Sequence, residues 1–269
     1  MQRLRILVTG STGFLAPFVV AAARASGLDV VTSARAGGDV PRNLDGEDAV
    51  DALLAQVRPD VVVHLAAMAR LQDCEADAAL AQRTNAIVPG RFAERIGARC
   101  LFVSTDLVFD GRRAPYGPTA PVEPLSEYGR SKAHGEVMVR ANGGRVVRLP
   151  LLFGVDARGR GATASLRAAL QAGQRPALFT NEYRTPLHAA DAARGLVALV
   201  AEPDGPSLVH LAGPERVSRW ELGMRFVRRH RLDPAALQAV ECEDALRPRD
   251  VALASDVEFR PLDAMLADA

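Results

Sequence analysis

The chain reads as an α/β protein built on a doubly wound parallel sheet. Three observations predict this. Apolar strand-like runs alternate with helical patterns across about the first 150 residues. The runs are continuously apolar rather than alternating, as in a sheet covered on both faces. A glycine-bearing turn joins the first run to the first helix.

Taken in order, Arg5–Thr9 (RILVT) predicts a buried strand, and the alanine-rich stretch from Gly13 to Ser26 a helix. Asp29–Ser33 is the second strand, Glu47–Val57 a helix with apolar residues at helical spacing, and Val61–Leu65 the third strand. A long helix follows over Ala78–Gly97, then a strand over Cys100–Ser104, a helix over Glu127–Arg140 and a strand over Val146–Leu149. Beyond Phe153-Gly154 the alternation changes. Asp156–Gly161 reads as a glycine-rich loop, and helices are expected near Ala162–Ala172, Ala189–Ala201 and Ser218–His230. Ser218 and Glu221 have the spacing of a capping box. Ser207–Leu211 reads as one more strand returning to the sheet. The expected organisation is therefore a dinucleotide-binding Rossmann-type domain over 1–154. A smaller, interleaved substrate-binding region spans 155–269, with elements near 186–212 returning to the sheet.

Length and composition narrow the classes. A chain of 269 residues buries roughly three quarters of its unfolded surface and needs no staple. Lys and Arg total 33 against 32 Asp and Glu, so no general field for nucleic acid or an acidic membrane is expected. Cys74, Cys100 and Cys242 are widely spaced and odd in number, giving no disulfide framework and no zinc spacing. No metal site is expected. No apolar run reaches the roughly 18 residues of a membrane span, and the amino-terminal apolar stretch ends at Gly10. The cytoplasm is the expected compartment, and a homodimer the base-rate expectation.

Three constellations carry chemistry. In Val8-Thr-Gly-Ser-Thr-Gly-Phe-Leu-Ala16, Gly10 and Gly13 let the backbone turn sharply and approach a pyrophosphate at the helix N-terminus. The loop residues Gly10, Ser11, Thr12, Gly13, Phe14 and Leu15 are the cofactor candidates. Near the end of the second strand, Ser33 and Arg35 suit a ribose phosphate, whereas Asp29 lies at the wrong end to bind a ribose diol. NADP is expected over NAD, which stays possible. Tyr128 and Lys132 stand four apart on a predicted helix and so share a face. A phenol has a pKa of about 10, and a nearby ammonium is expected to lower it. Lys132 is the only lysine of the chain and Tyr128 one of three tyrosines. Ser104-Thr105-Asp106 follows the fourth strand at the carboxyl edge, where a hydroxyl can hydrogen-bond a substrate carbonyl or its alkoxide.

Together these features resemble the extended short-chain dehydrogenase/reductase family over nearly the whole chain. Val103-Ser-Thr-Asp-Leu-Val-Phe-Asp-Gly111 looks like its dTDP-4-dehydrorhamnose reductase branch. So do Asp60-Val-Val-Val-His-Leu-Ala-Ala67, Asn85, Tyr128-Gly-Arg-Ser-Lys-Ala-His-Gly-Glu136, Arg184-Thr-Pro186 and Arg247-Pro248. The resemblance implies that Tyr128 donates a proton to the reduced oxygen, that Lys132 binds the nicotinamide ribose, and that Thr105 holds the carbonyl oxygen. It implies that Leu65, Ala66 and Ala67 line the cofactor groove, with Asn43 and Leu44 near adenine, where the family usually has Asp. Asp106 and Arg184 are its substrate candidates, Arg184 for a sugar-nucleotide phosphate. Leu107 stands where the branch has Tyr and where dehydratases carry Glu, so dehydration lacks its expected base and a different sugar is implied. His188 and Asp191 read as loop and helix N-cap. The implied activity is NAD(P)H-dependent reduction of a nucleotide-linked 4-keto-deoxysugar. The alternatives are a sugar-nucleotide epimerase and a non-catalytic NADP-binding regulatory subunit, like the relative that binds methionine adenosyltransferase.

Overall fold

The computed structural model describes residues 3–202 and 204–269. Its strands are β1 (Arg5–Thr9), β2 (Asp29–Ser33), β3 (Val61–His64), β4 (Cys100–Thr105), β5 (Arg145–Leu149), β6 (Leu152–Phe153), β7 (Ala177–Phe179), β8 (Tyr183–Arg184), β9 (Leu187–His188), β10 (Leu208–His210), β11 (Val217–Ser218) and β12 (Gln238–Val240). The helices are α1 (Ala16–Ala25), α2 (Ala49–Val57), α3 (Leu71–Ala76), α4 (Ala78–Gln82), α5 (Val88–Ile96), α6 (Glu127–Ala141), α7 (Ala162–Gln171), α8 (Ala189–Val200), α9 (Arg219–Arg229) and α10 (Leu262–Leu266).

Six strands form one parallel sheet in the order β10-β5-β4-β3-β1-β2. The chain runs outward from β1 to β2, then returns to the other side of β1 at β3. That reversal opens a crevice at the carboxyl edge beside β1, where open α/β sheets bind ligands. The strand return expected over Ser207–Leu211 is realised by β10 alongside β5. Alternate residues feed opposite layers. Ile6, Val8, Val63 and Leu101 join the core under α1 and α8, while Leu7, Val62 and Phe102 join the core under α2, α5 and α6. A third cluster, Val108, Phe109, Tyr116, Val251 and Leu253, holds the loop that leaves β4.

Three differences from the expected elements have physical causes. The first helix starts at Ala16 rather than Gly13, because the preceding residues form the glycine loop and Pro17 suits a helix start. The helix expected over Ala78–Gly97 is interrupted by a π-helical turn at Arg83–Ile87. Pro89 lacks an N–H and its ring excludes the carbonyl four residues earlier, that of Asn85. The released carbonyl faces Gly135 of α6, where any Cβ would overlap it. The short pairs β11·β8, β12·β7 and β6·β9 carry too few residues for a periodic signal.

Candidate active site

The glycine loop supplies the floor of a groove of about 390 Å³ lined by Gly10, Thr12, Gly13, Ser33, Ala34, Arg35, Arg42, Asn43, Leu44, Asp45, Leu65, Ala66, Ala67, Thr84 and Val88. Gly10 has φ +67°, and a Cβ there would stand 2.6 Å from the Ala66 amide nitrogen, so both its conformation and its space require glycine. Phe14 and Leu15 do not bring their side chains into this groove. Phe14 packs edge-on against Phe18, and Leu15 belongs to the core, so only their backbone amides at the head of α1 can serve a ligand. Ser11 donates its amide to the Ser33 carbonyl, tying the loop to β2. Arg35 is largely exposed, with its guanidinium 4.0 Å from Asp45. Arg42, which sequence reasoning passed over, lines the same end of the groove and donates to Gln56.

Beside it lies a second cleft of about 640 Å³, into which Thr105, Asp106, Leu107, Tyr128, Glu182, Arg184, Arg219 and Arg247 project. Thr105 ends β4, so the strand delivers its hydroxyl to the sheet edge. Ser126 caps α6 by accepting from the Gly129 amide at 3.2 Å. Gly129 packs against the Leu107 carbonyl, and a Cβ there would also stand 2.8 Å from Pro124. This close approach sets the first turn of α6 against the β4 loop and Tyr128 beside Thr105. The helix is held from below. Asn85 exchanges hydrogen bonds with the Met68 backbone at 2.9 Å in each direction, donates to Ser131 Oγ, and Ser131 in turn donates to the Tyr128 carbonyl.

Burial raises the Tyr128 pKa above that of a free phenol; the Thr105 hydroxyl pulls it down, and Asp106 and Cys74 push it up. The lowering expected from the four-residue spacing is therefore not what the structure shows. Lys132 lies one turn away, but its buried ammonium donates to the Val103 carbonyl at 2.6 Å and stands 3.9 Å above the Phe102 ring. Burial brings the Lys132 pKa down to about 7, against the pull of Glu136. Glu136 itself accepts from Ser104 at 2.5 Å and forms a buried ion pair with Arg148 at 2.6 Å.

The opposite wall is a network of charges. Arg184 lies 3.3 Å from Asp106 and 3.2 Å from Glu182, and Glu182 also meets Arg219 at 3.2 Å and Arg247 at 3.4 Å. Burial pushes Asp106 up to about 6 despite Arg184 and the Thr105 hydroxyl, which donates to it at 3.1 Å. Sequence reasoning missed Glu182 and Arg219. Both flank recognised positions, Glu182 two residues before Arg184 and Arg219 at the start of the capped α9, but nothing local marks a buried carboxylate shared by three arginines. His188 is the N-cap of α8, accepting from the Ala190 amide at 3.2 Å, as its position predicts. Among the described residues no group of three or more His, Cys, Asp or Glu side chains could hold a metal ion. Among the described residues no helix is long and apolar enough to cross a membrane.

A carboxyl-edge crevice with a glycine loop on one side and a hydroxyl–phenol pair on the other defines a Rossmann-type dehydrogenase/reductase architecture. The chain belongs to the RmlD substrate binding domain family, whose profile matches residues 4–265. It is 29% identical over 254 residues to methionine adenosyltransferase 2 subunit beta of Xenopus laevis, covering 89% of this chain and 76% of that protein. It is 28% identical over 254 residues to a dTDP-4-dehydrorhamnose reductase of Mycobacterium tuberculosis, covering 91% and 81%. The fold matches the crystal structure of dTDP-4-dehydrorhamnose reductase from Bacillus anthracis in complex with NADP, with a TM-score of 0.89 at 19% identity over 98% of each chain.

Proposed function

We propose that this chain is an NADP-preferring reductase of a nucleotide-linked 4-keto-deoxysugar. The observation that carries the reading is the meeting of the Thr105 hydroxyl and the Tyr128 phenol in one cleft, one helical turn from the buried Lys132. The groove residues suit a nicotinamide dinucleotide. Gly10 leaves no room for a side chain beneath a close-lying phosphate, and the amides at the head of α1 favour an anion. Arg35 and Arg42 would face a ribose phosphate, which favours NADP. The bound cofactor would supply the hydride.

The remaining work falls to the chain. Thr105 would orient the carbonyl and stabilise charge developing on its oxygen. Tyr128 would give that oxygen a proton. Burial keeps it protonated in the neutral range but also makes it a weaker acid, so donation would rely on the negative charge that builds on the carbonyl oxygen as hydride arrives. Arg184, Arg219 and Arg247 would meet the anionic part of the substrate, sharing it with Glu182. Leu107 leaves the adjacent position without a titratable group, against dehydration. An epimerase would use the same residues while showing no net oxidation of cofactor.

The test follows NADPH and, separately, NADH absorbance with dTDP-4-dehydrorhamnose. Oxidation is expected with wild type, faster with NADPH, and Tyr128→Phe should lose about 10²-fold or more. Full activity in that variant would remove Tyr128 from the mechanism. The similarity to methionine adenosyltransferase 2 subunit beta favours a second reading, a cofactor-binding regulatory subunit. Bound NADPH without turnover, together with co-purification of a methionine adenosyltransferase, would select it.

A further inference from the structure

The segment from Asp156 to Gly161 reads from sequence only as a loop. In the structure it crosses back to the glycine loop, from the far side of the chain. The Arg160 guanidinium donates through Nη1 to the Thr12 carbonyl at 2.8 Å, a contact between residues 148 apart. The neighbouring Gly161 has φ +136°, and a Cβ there would stand 2.9 Å from the Phe14 ring and overlap the Gly154 carbonyl. Two consecutive residues of this loop therefore touch two residues of the glycine loop.

The loop is built to hold Arg160 in that position. Asp156, buried, accepts from the Arg158 amide at 2.9 Å and the Arg160 amide at 2.8 Å through Oδ1, and from Arg160 Nε at 2.8 Å through Oδ2. The Asp156 amide donates to the Arg160 carbonyl at 3.0 Å, and the Gly159 amide to the Asp156 carbonyl at 2.9 Å. One carboxylate thus fixes both the backbone turn and the guanidinium, which reaches the glycine loop already oriented.

The contact falls on a sensitive peptide. The Thr12 carbonyl and the Gly13 N–H belong to one peptide plane. Arg160 takes the oxygen, and the Gly13 N–H donates to the Gly10 carbonyl at 2.8 Å. With both ends fixed, the plane cannot rotate, and the backbone leading into Phe14 and Leu15 is set. The Phe14 and Leu15 amides, which have no acceptor among the described residues, stay directed to the head of α1, where an anion binds. The guanidinium also adds positive charge beside the place where a diphosphate would lie.

We propose that the loop 156–161 is a clasp on the glycine loop, with Arg160 the positioning residue that holds that loop in its dinucleotide-binding form. The clasp couples the carboxyl-terminal part of the chain to cofactor retention: the loop that starts α7 also sets the grip on the diphosphate. This rests on the reading of the groove as a nicotinamide dinucleotide site.

The test is NADPH binding by the full chain, read by nucleotide fluorescence, with dissociation rates from stopped-flow displacement. Arg160→Met should weaken Kd about tenfold or more, mostly through faster dissociation. Gly161→Ala lifts the loop without touching the guanidinium and should act in the same direction. Nucleotide-free melts give each variant its own baseline, since the alanine meets the Gly154 carbonyl and the methionine leaves Asp156 without its guanidinium; above those baselines the stabilisation that NADPH confers should shrink in both variants. A merely structural role for Arg160 would lower the melt without nucleotide and leave NADPH affinity unchanged. If both variants bind NADPH within about twofold of wild type, the clasp is overturned. If only Arg160→Met is weakened, the guanidinium acts by its charge alone and the clasp is again overturned. Should Arg160→Met fail to fold, Gly161→Ala decides the matter alone. Failure of wild type to bind any nicotinamide dinucleotide overturns the underlying reading of the groove, a result distinct from equal binding by all three.

Discussion

Replacing Lys132 with methionine should make the chain more stable near neutral pH, by an amount that depends on pH in a fixed direction. Lys132 is 2% exposed; its ammonium donates to one carbonyl and faces an aromatic ring, and its pKa falls from 10.5 to about 7. In the unfolded chain the same amine keeps its ordinary value. Between about pH 7 and 10 the unfolded state therefore binds more protons than the folded one, and stability rises with pH across that window. Below pH 7 both states are protonated, and the cost of the buried charge is present in full. Each tenfold difference in proton affinity is worth about 1.4 kcal/mol, so the whole span is at most about 5 kcal/mol, of which roughly 2–3 falls between pH 7 and 9. Methionine removes the amine while keeping a flexible chain over Phe102. The assay is urea unfolding of wild type and Lys132→Met at half-unit steps from pH 6 to 10. The variant should be the more stable at pH 6–7, and the gap should close as pH rises. A gap that stays constant within about 0.5 kcal/mol over pH 7–9.5 would refute the buried, depressed lysine.

Two further outcomes test the packing that holds the site. Glu136→Gln leaves Arg148 buried without its charge partner and weakens the Ser104 contact, so a loss of about 3–5 kcal/mol is expected. That corresponds to roughly 10 °C in a thermal melt, and a change below about 3 °C would show the pair to be dispensable. Gly10→Ala forces a side chain into positive φ against Leu65 and Ala66. It should cost about 1–3 kcal/mol and abolish detectable NADPH binding, so retained binding in a calorimeter would contradict the close approach.

The central sheet was legible because its strands are long enough and apolar enough to show. Val61–His64 and Arg145–Leu149 need no side-chain geometry to be read as buried on both faces. The glycine loop and the Tyr128–Lys132 spacing were legible for the same reason, since both are short-range patterns on single elements. What was not legible depends on contacts between distant segments. The π-helical turn needs Pro89 to displace the Asn85 carbonyl and also needs Gly135, far along the chain, to leave room for it. The Glu182 cluster gathers arginines from β8, α9 and the loop before α10, and no local window contains them. The direction of the Lys132 ammonium was invisible too. Spacing placed the residue on the face of Tyr128, but the packing of α6 on β4 turned its amine toward Val103.

That placement bears on the choice between catalyst and regulatory subunit. A site that only packs would gain from methionine or leucine over Phe102, because burying an ammonium carries a desolvation cost that one carbonyl and one ring repay in part. Arginine, which supplies every other basic position in the chain apart from histidine, is excluded here for a different reason. A guanidinium cannot release its proton, and the space above Phe102 is enclosed. Lysine is the basic residue that can be buried there and remain titratable near neutral pH. A fold that needed α6 merely as a strut would have no use for that property, and it would bear the cost in stability at every pH below 10. Under the proposed reduction, a titratable amine one turn from Tyr128 would have a use. The cost of burying Lys132 therefore supports the proposed catalytic reading over the regulatory one, and the pH series on Lys132→Met tests its premise.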